Sequence, residues 1–170
     1  QTATSDSAIS FTSGIDSTYG EYIFRFYNIG AENDDVNFGF QVNASGQSGY
    51  NEAILSNTFR TYHHEDDSSA VLTYFTNTDQ VLGDTARQML AFSLDNAADQ
   101  NMAGELHLFN PSSTTYAKHF YGQTNDYTNN VRSETQFTAG LIDVTAAITN
   151  IQFTMSAGDF DGKIKMWGVK

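Results

Sequence analysis

Three stretches of the 170-residue sequence gather side chains able to do chemistry. The first, His63-His64-Glu65-Asp66-Asp67, combines imidazoles and carboxylates of the kind that ligate Zn²⁺ or Mn²⁺. Consecutive residues of a strand point to opposite faces, so His63 and His64 do not easily converge on one ion, and a solvated acidic strand end is the plainer reading. The second, Ser156-Ala157-Gly158-Asp159-Phe160-Asp161-Gly162, sets Asp159 and Asp161 around one residue in a glycine-bounded turn. Two such carboxylates begin a Ca²⁺ site, the one cofactor the sequence offers. The further oxygens and bidentate Glu of an EF-hand loop are missing, so a Gly-rich hairpin connection is the stronger account. Asn33-Asp34-Asp35 reads the same way.

The third stretch holds Glu105, His107 and His119, an acid–base set on a sheet face, with the hydroxyls of Ser112, Ser113, Thr114 and Thr115 in the loop beyond. No G-x-S-x-G elbow accompanies them, and cross-strand His–Glu pairs are common on solvated sheets. Among twenty Asp and Glu, no two can be singled out as a glycosidase pair. No catalytic residue is assigned, and the chain is read as non-enzymatic. Nine Tyr and one Trp raise a different chemistry, the stacking of sugar rings. Tyr50, Tyr62, Tyr121, Tyr127 and Trp167 fall in or near loops and strand ends and are the candidates for glycan contact; a Tyr-rich core and interface is the alternative.

These residues need a scaffold, and its period is two. Tyr22-Ile23-Phe24-Arg25-Phe26-Tyr27-Asn28-Ile29 is aromatic and β-branched, and placing Arg25 outward puts Tyr22, Phe24 and Phe26 inward. Further strands are predicted at 8–12, 36–42, 59–64, 71–75, 104–109, 115–122, 135–142, 150–155 and 163–169, separated by turn clusters such as Ser45-Gly46-Gln47-Ser48-Gly49 and Asn129-Asn130. Only Asp84–Phe92 has a helical look, with Asp84 as N-cap and Met89 and Leu90 facing in. Asn110-Pro111 opens a turn after which Leu106 is expected opposite Lys118, Leu108 opposite Tyr116 and Glu105 opposite His119, with Leu106, Leu108, Tyr116 and Phe120 on the core face. Near the C-terminus, Ile164 and Met166 face in and the lysines out. The sole Trp is expected to turn into the core through a bulge at Gly168 rather than remain a partly exposed ring. Short strands without βαβ alternation predict an all-β fold, an antiparallel two-sheet sandwich of jelly-roll type with at most one short helix. Residues 1–7 read as a flexible N-terminal arm and 8–170 as one sandwich domain. A chain that starts at Gln1 points to a processed product or a fragment.

Composition narrows the partners. Eight Lys and Arg against twenty Asp and Glu give a formal charge of -12. Such a surface repels a phosphate backbone and an anionic membrane, so neither nucleic acid nor membrane insertion is expected. With no Cys, disulfides, thiolate chemistry and Cys-ligated zinc are excluded.

Three segments together carry a resemblance: Phe11–Tyr19 running into Tyr22–Phe26, Gly104–Thr115 with its Leu-His-Leu-Phe-Asn-Pro-Ser-Ser-Thr-Thr core, and Gly162–Lys170 with Lys-Ile-Lys-Met-Trp-Gly-Val-Lys. The pattern resembles virion structural proteins of tailed bacteriophages, particularly marine ones, of tail-fibre-like or decoration type. The resemblance implies a structural role on the virion surface, outside the cell, in contact with other virion proteins and as a homo-oligomer, a trimer being favoured. Recognition of a host-surface glycan by a lectin-like module is the alternative. No catalytic residues accompany the resemblance.

Overall fold

The computed structural model describes all residues, Gln1 to Lys170. Every regular element is a strand: β1 (Thr2–Asp6), β2 (Ala8–Phe11), β3 (Glu21–Ala31), β4 (Val36–Ala44), β5 (Ile54–His64), β6 (Ala70–Tyr74), β7 (Gln88–Leu94), β8 (Met102–Phe109), β9 (Lys118–Thr128), β10 (Arg132–Ile142), β11 (Ile148–Met155) and β12 (Phe160–Val169). Hydrogen bonding runs β1-β12-β3-β8-β9-β7-β4-β11-β2, and a branch from β9 continues through β10 and β5 to β6. All pairings are antiparallel. The two ends of the main path, β1 and β2, are separated by Ser7 alone, and Gln1 Nε2 donates to Ser10 O at 2.7 Å. The sheet therefore rolls up into a nearly closed barrel.

The rolling is driven by the aromatic residues that alternation turns to one side. Tyr22, Phe24 and Phe26 are buried on β3, as their period predicts, and Phe38, Phe40, Phe120, Phe153, Phe160 and Ile164 join them. Phe153 sits at the hub, with the rings of Phe11, Phe24, Phe26, Phe38 and Phe40 at 5.3–6.4 Å. Each buried ring contributes about 1.5–3 kcal/mol by leaving water, and the edge-on, tilted and stacked ring pairs add to that.

Four local expectations are corrected. Residues 1–7 are not an arm: Thr2–Asp6 form β1, Ala3 is buried, and Thr2 pairs with Lys163. The open edge of β12 supplies the backbone partners, and Ile164 N donates to Gln1 O at 3.0 Å. Asp84–Phe92 is no helix; Asp84 closes a turn by accepting from Ala86 N, and the residues after it form β7. Bulges in the β4–β7 ladder make Gln88, Leu90, Ala91 and Leu94 face inward, a spacing that imitates a helical stripe.

The β8–β9 hairpin closes four residues later than expected, pairing Leu106 with Gly122, Leu108 with Phe120 and His107 with Tyr121. An even-numbered slide preserves the faces, so Leu106, Leu108 and Phe120 stay in the core, whereas Tyr116 falls in the loop and is 70 % exposed. Lastly, Trp167 faces outward and is 40 % exposed. The irregularity in β12 lies between Asp161 and Lys163, so alternation holds through Gly168, whose inward place is filled by the Tyr19 ring; a Cβ there would lie 2.1 Å from it.

Candidate functional site

The outer face of β12, β3, β8 and β9 carries the most organised set of outward-pointing side chains, with Trp167 and Tyr121 exposed at its two ends and His107 buried between its neighbours. Trp167, Ile23, His107 and Tyr121 are successive register partners, so four strands present them along one rung. With strands about 4.8 Å apart, the rung runs about 14 Å from Trp167 to Tyr121. The neighbouring rung continues from Lys165 through Arg25, Glu105, Gln123, Phe137 and Phe59 to Tyr74.

Contacts between these rungs fix the rings. His107 Nδ1 meets Glu21 Oε1, and His107 Nε2 lies 3.1 Å from Glu105 Oε1. Its imidazole stacks on Tyr121 at 4.3 Å between centroids. Arg25 Nε donates to Glu105 Oε2 at 3.2 Å, and the Arg25 guanidinium sits 5.4 Å from the Trp167 ring centre. Hydrogen bonding to His107, aided by Arg25, lowers the Glu105 carboxyl below its ordinary range. Both ring nitrogens of His107 are thus spent on carboxylates, and neither is open to a substrate. His119, the other member of the supposed acid–base set, pairs with Leu141 on β10 instead of Glu105.

The remaining candidates scatter. Tyr127 shares the outer face of β9 but lies six residues from Tyr121, and its hydroxyl donates to Glu65 at 2.7 Å. Tyr62 belongs to the opposite face, where the Arg132 guanidinium covers its ring at 4.2 Å. Tyr50 sits half-buried in the β4–β5 connection, its N–H donating to Asn43 Oδ1. His63 bonds Asp67 at 2.9 Å, whereas His64 lies edge-on to Tyr62, so the two imidazoles diverge. Asp161 Oδ1 accepts from Ser5 N at 2.9 Å, and no group of three or more His, Asp or Glu gathers anywhere into a metal cluster. Asp35 accepts from the Ser93 hydroxyl and Asp34 from Asn96 N, which ties the Asn33–Asp35 turn to the end of β7.

A polar interior was not predicted. The inward side of β5, β9 and β10 buries Thr58, Thr124, Asp126, Glu134, Gln136 and Thr138. Glu134 receives Arg60 Nη1 at 3.0 and 3.2 Å and Arg132 Nη2 at 2.7 Å, while both carboxyl oxygens of Asp126 and both amide atoms of Gln136 have no partner. Burial, then the Glu134 charge, raises the Asp126 carboxyl well above its ordinary value, with Arg132 and Arg60 opposing. The signal was in the Asn129-Asn130 turn: counting outward from Asn130 places Asp126 opposite Glu134.

No family model matches the chain, and no curated protein does. Among solved structures, a Bacteroides ovatus protein of unknown function is 6 % identical with a TM-score of 0.33; 68 % of this chain matches 46 % of that one, so this chain spans under half its length. Scytalido-glutamic peptidase, bound to a peptide-based transition-state analogue, is 10 % identical over 88 % of this chain and 76 % of that chain, TM-score 0.20. Alginate lyase from Alteromonas sp. 272 is 9 % identical over 95 % of this chain and 88 % of that chain, TM-score 0.16.

Proposed function

We propose that this chain is a non-enzymatic structural protein of a bacteriophage virion surface, a decoration or fibre component that assembles through protein–protein contacts, as a homotrimer or docked on other virion proteins. The observation that carries the assembly reading is the β6 edge. β6 pairs with β5 alone, and it exposes Leu72 at 71 % and Tyr74 at 54 % beside the exposed Phe59 ring, which stacks on the half-buried Phe137. An uncovered apolar edge strand offers unpaired N–H and C=O groups to another chain, and assembly covers it. In the same reading the rolled sheet works as a two-layer, jelly-roll-like sandwich: β7 meets β9 through one residue pair, Leu94 with Thr128, which divides β2-β11-β4-β7 from the remaining strands.

The expected result is that mass spectrometry of purified particles finds the chain, and that Leu72→Lys with Tyr74→Lys lowers the mass of the isolated protein in sedimentation. A chain found only in the cytosol of infected cells, or a wild type that sediments as a monomer and binds no particle, contradicts the proposal. A second reading, recognition of a host-surface glycan, is favoured by one observation: Trp167 and Tyr121 share a rung of the outer face, both exposed. A glycan array on which the wild type binds nothing removes it.

A further inference from the structure

The cations of this acidic chain are unevenly placed. Of the eight Lys and Arg, Arg60 and Arg132 are committed to buried Glu134, Arg87 is half-buried with Nη1 on Thr154, and Lys118 is buried with Nζ on three carbonyls. The exposed remainder is Arg25 on β3 with Lys163, Lys165 and Lys170 on or directly after β12. β12 and β3 are adjacent strands, and Lys165 pairs with Arg25 and Lys163 with Tyr27. Every exposed Lys or Arg of a -12 chain therefore lies on one two-strand strip.

Aromatic rings alternate with those charges. Lys163, Lys165 and Trp167 follow at two-residue steps along β12, about 7 Å apart, so the strip is about 14 Å long. Lys165 Nζ lies 5.2 Å from the Tyr27 ring centre, and Arg25 lies over Trp167. At the Lys163 end a cavity of about 320 Å³ opens between β1 and β12, lined by Thr2, Tyr27, Asn28, Lys163 and Lys165. β1, docked rather than loose, forms one of its walls. Of the acids nearby, Glu105 is paired with Arg25 and His107, Glu21 with His107, and Asp161 accepts from the backbone of Ser5. Arg25 and Glu105 cancel one another, so the cations left without an acid partner are Lys163, Lys165 and Lys170, all on or directly after β12, while acids farther away are screened over about 8 Å at physiological salt.

We infer that this strip is a binding site for an anionic polysaccharide, a chain of sugar rings bearing carboxylate or sulfate groups. The rings of Trp167 and Tyr27 stack on sugar faces, Lys163 and Lys165 pair with the acid groups, and the cavity beside β1 receives one of them. The inference rests on the glycan-recognition reading and specifies its ligand class; the uncharged polymer serves to tell the two apart.

The test is equilibrium binding of the full chain to polygalacturonate (carboxylate), dextran sulfate (sulfate) and uncharged dextran. Binding to one or both polyanions and not to dextran is expected, weakening as NaCl rises from about 0.05 to about 0.5 M. Lys163→Gln with Lys165→Gln is expected to lower that affinity by about tenfold. Trp167→Ala is expected to lower it comparably, which plain charge attraction does not predict. Their positions on an outer face leave the fold intact, checked by unchanged circular dichroism. Equal binding to dextran overturns the anionic site while leaving glycan recognition standing. Polyanion binding that survives Trp167→Ala, or that survives Lys163→Gln with Lys165→Gln, overturns the anionic site, as does no binding to any polymer, and a blank glycan array overturns the wider reading with it.

Discussion

Asp126 on β9 and Glu134 on β10 are register partners, and both carboxyl groups are buried, at 2 % and 0 % exposure. Only Glu134 is given counter-ions, since Arg60 and Arg132 both donate to it and neither reaches Asp126. Two adjacent carboxylates in a poorly hydrated interior cannot both ionise cheaply, so Asp126 holds its proton to a higher pH than a free aspartate does.

The pH dependence of stability follows from that proton. The folded-state value of Asp126 is raised above the ordinary 3.8, so the native state binds more protons than the unfolded chain in the window above 3.8. Stability from this group is full below that value and is lost as pH rises towards the raised folded value, by up to about 1.4 kcal/mol per pH unit. Asp126→Asn keeps the shape of the protonated acid and removes its ionisation. Urea unfolding between about pH 4 and pH 8 is expected to show a flatter profile for the variant; an unchanged slope contradicts the assignment.

Glu134→Gln leaves two guanidinium groups, with side chains only 15 % and 11 % exposed, facing a neutral amide. The expected cost is about 3–5 kcal/mol, read as a lowered denaturant midpoint. Because the Glu134 charge helps to raise Asp126, the titration of Asp126 is expected to move down in the same variant. A midpoint within experimental scatter of the wild type contradicts this.

Lys118 is a structural cation. Its Nζ donates to the carbonyls of Val144, Thr145 and Ala146 at 2.9, 2.8 and 2.6 Å and pins the β10–β11 connection. Lys118→Met keeps the stem and removes all three bonds, with an expected loss of about 2 kcal/mol or more. Hydrogen exchange measures it directly: the amide of Ile148, which donates to Pro111 O just beyond that connection, is expected to exchange faster.

Gly104 marks a place where two strands approach without room for a side chain. A Cβ there would lie 2.3 Å from Gln123 O and 2.7 Å from Thr124 Cα, both backbone. Gly104→Ala is expected to destabilise by about 1–3 kcal/mol, seen as a lower Tm, by forcing β8 and β9 apart.

Much of the scaffold was legible because alternation is a local signal. Tyr22, Phe24 and Phe26 alternate with an outward Arg25, and that alone places β3. β7 was missed because bulges break its period two and leave Gln88, Leu90, Ala91 and Leu94 at spacings a helix also gives. β1 was missed because its inward commitment is a single small residue, Ala3; its partner, Gly162, lies at the other end of the chain. The outer-face site shows the same division. Tyr121 and Trp167 were identifiable by type, but their shared rung depends on β3 and β8 lying between β12 and β9, an order no local pattern encodes. The Asp126–Glu134 pair could be counted from its turn, yet its burial depends on tertiary packing that the turn does not encode.

The lone rung joining Leu94 to Thr128 has a mechanical consequence. On the other side of β9, eleven consecutive rungs bind it to β10. A wall stitched so unequally does not soften evenly on warming; it parts where it has one ladder pair and a few flanking bonds, such as Asn129 N to Ser93 O and Thr124 Oγ1 to Leu90 O. The amides at the Leu94 end of β7 would then admit solvent while β9, β10 and β5 still hold together as a ribbon.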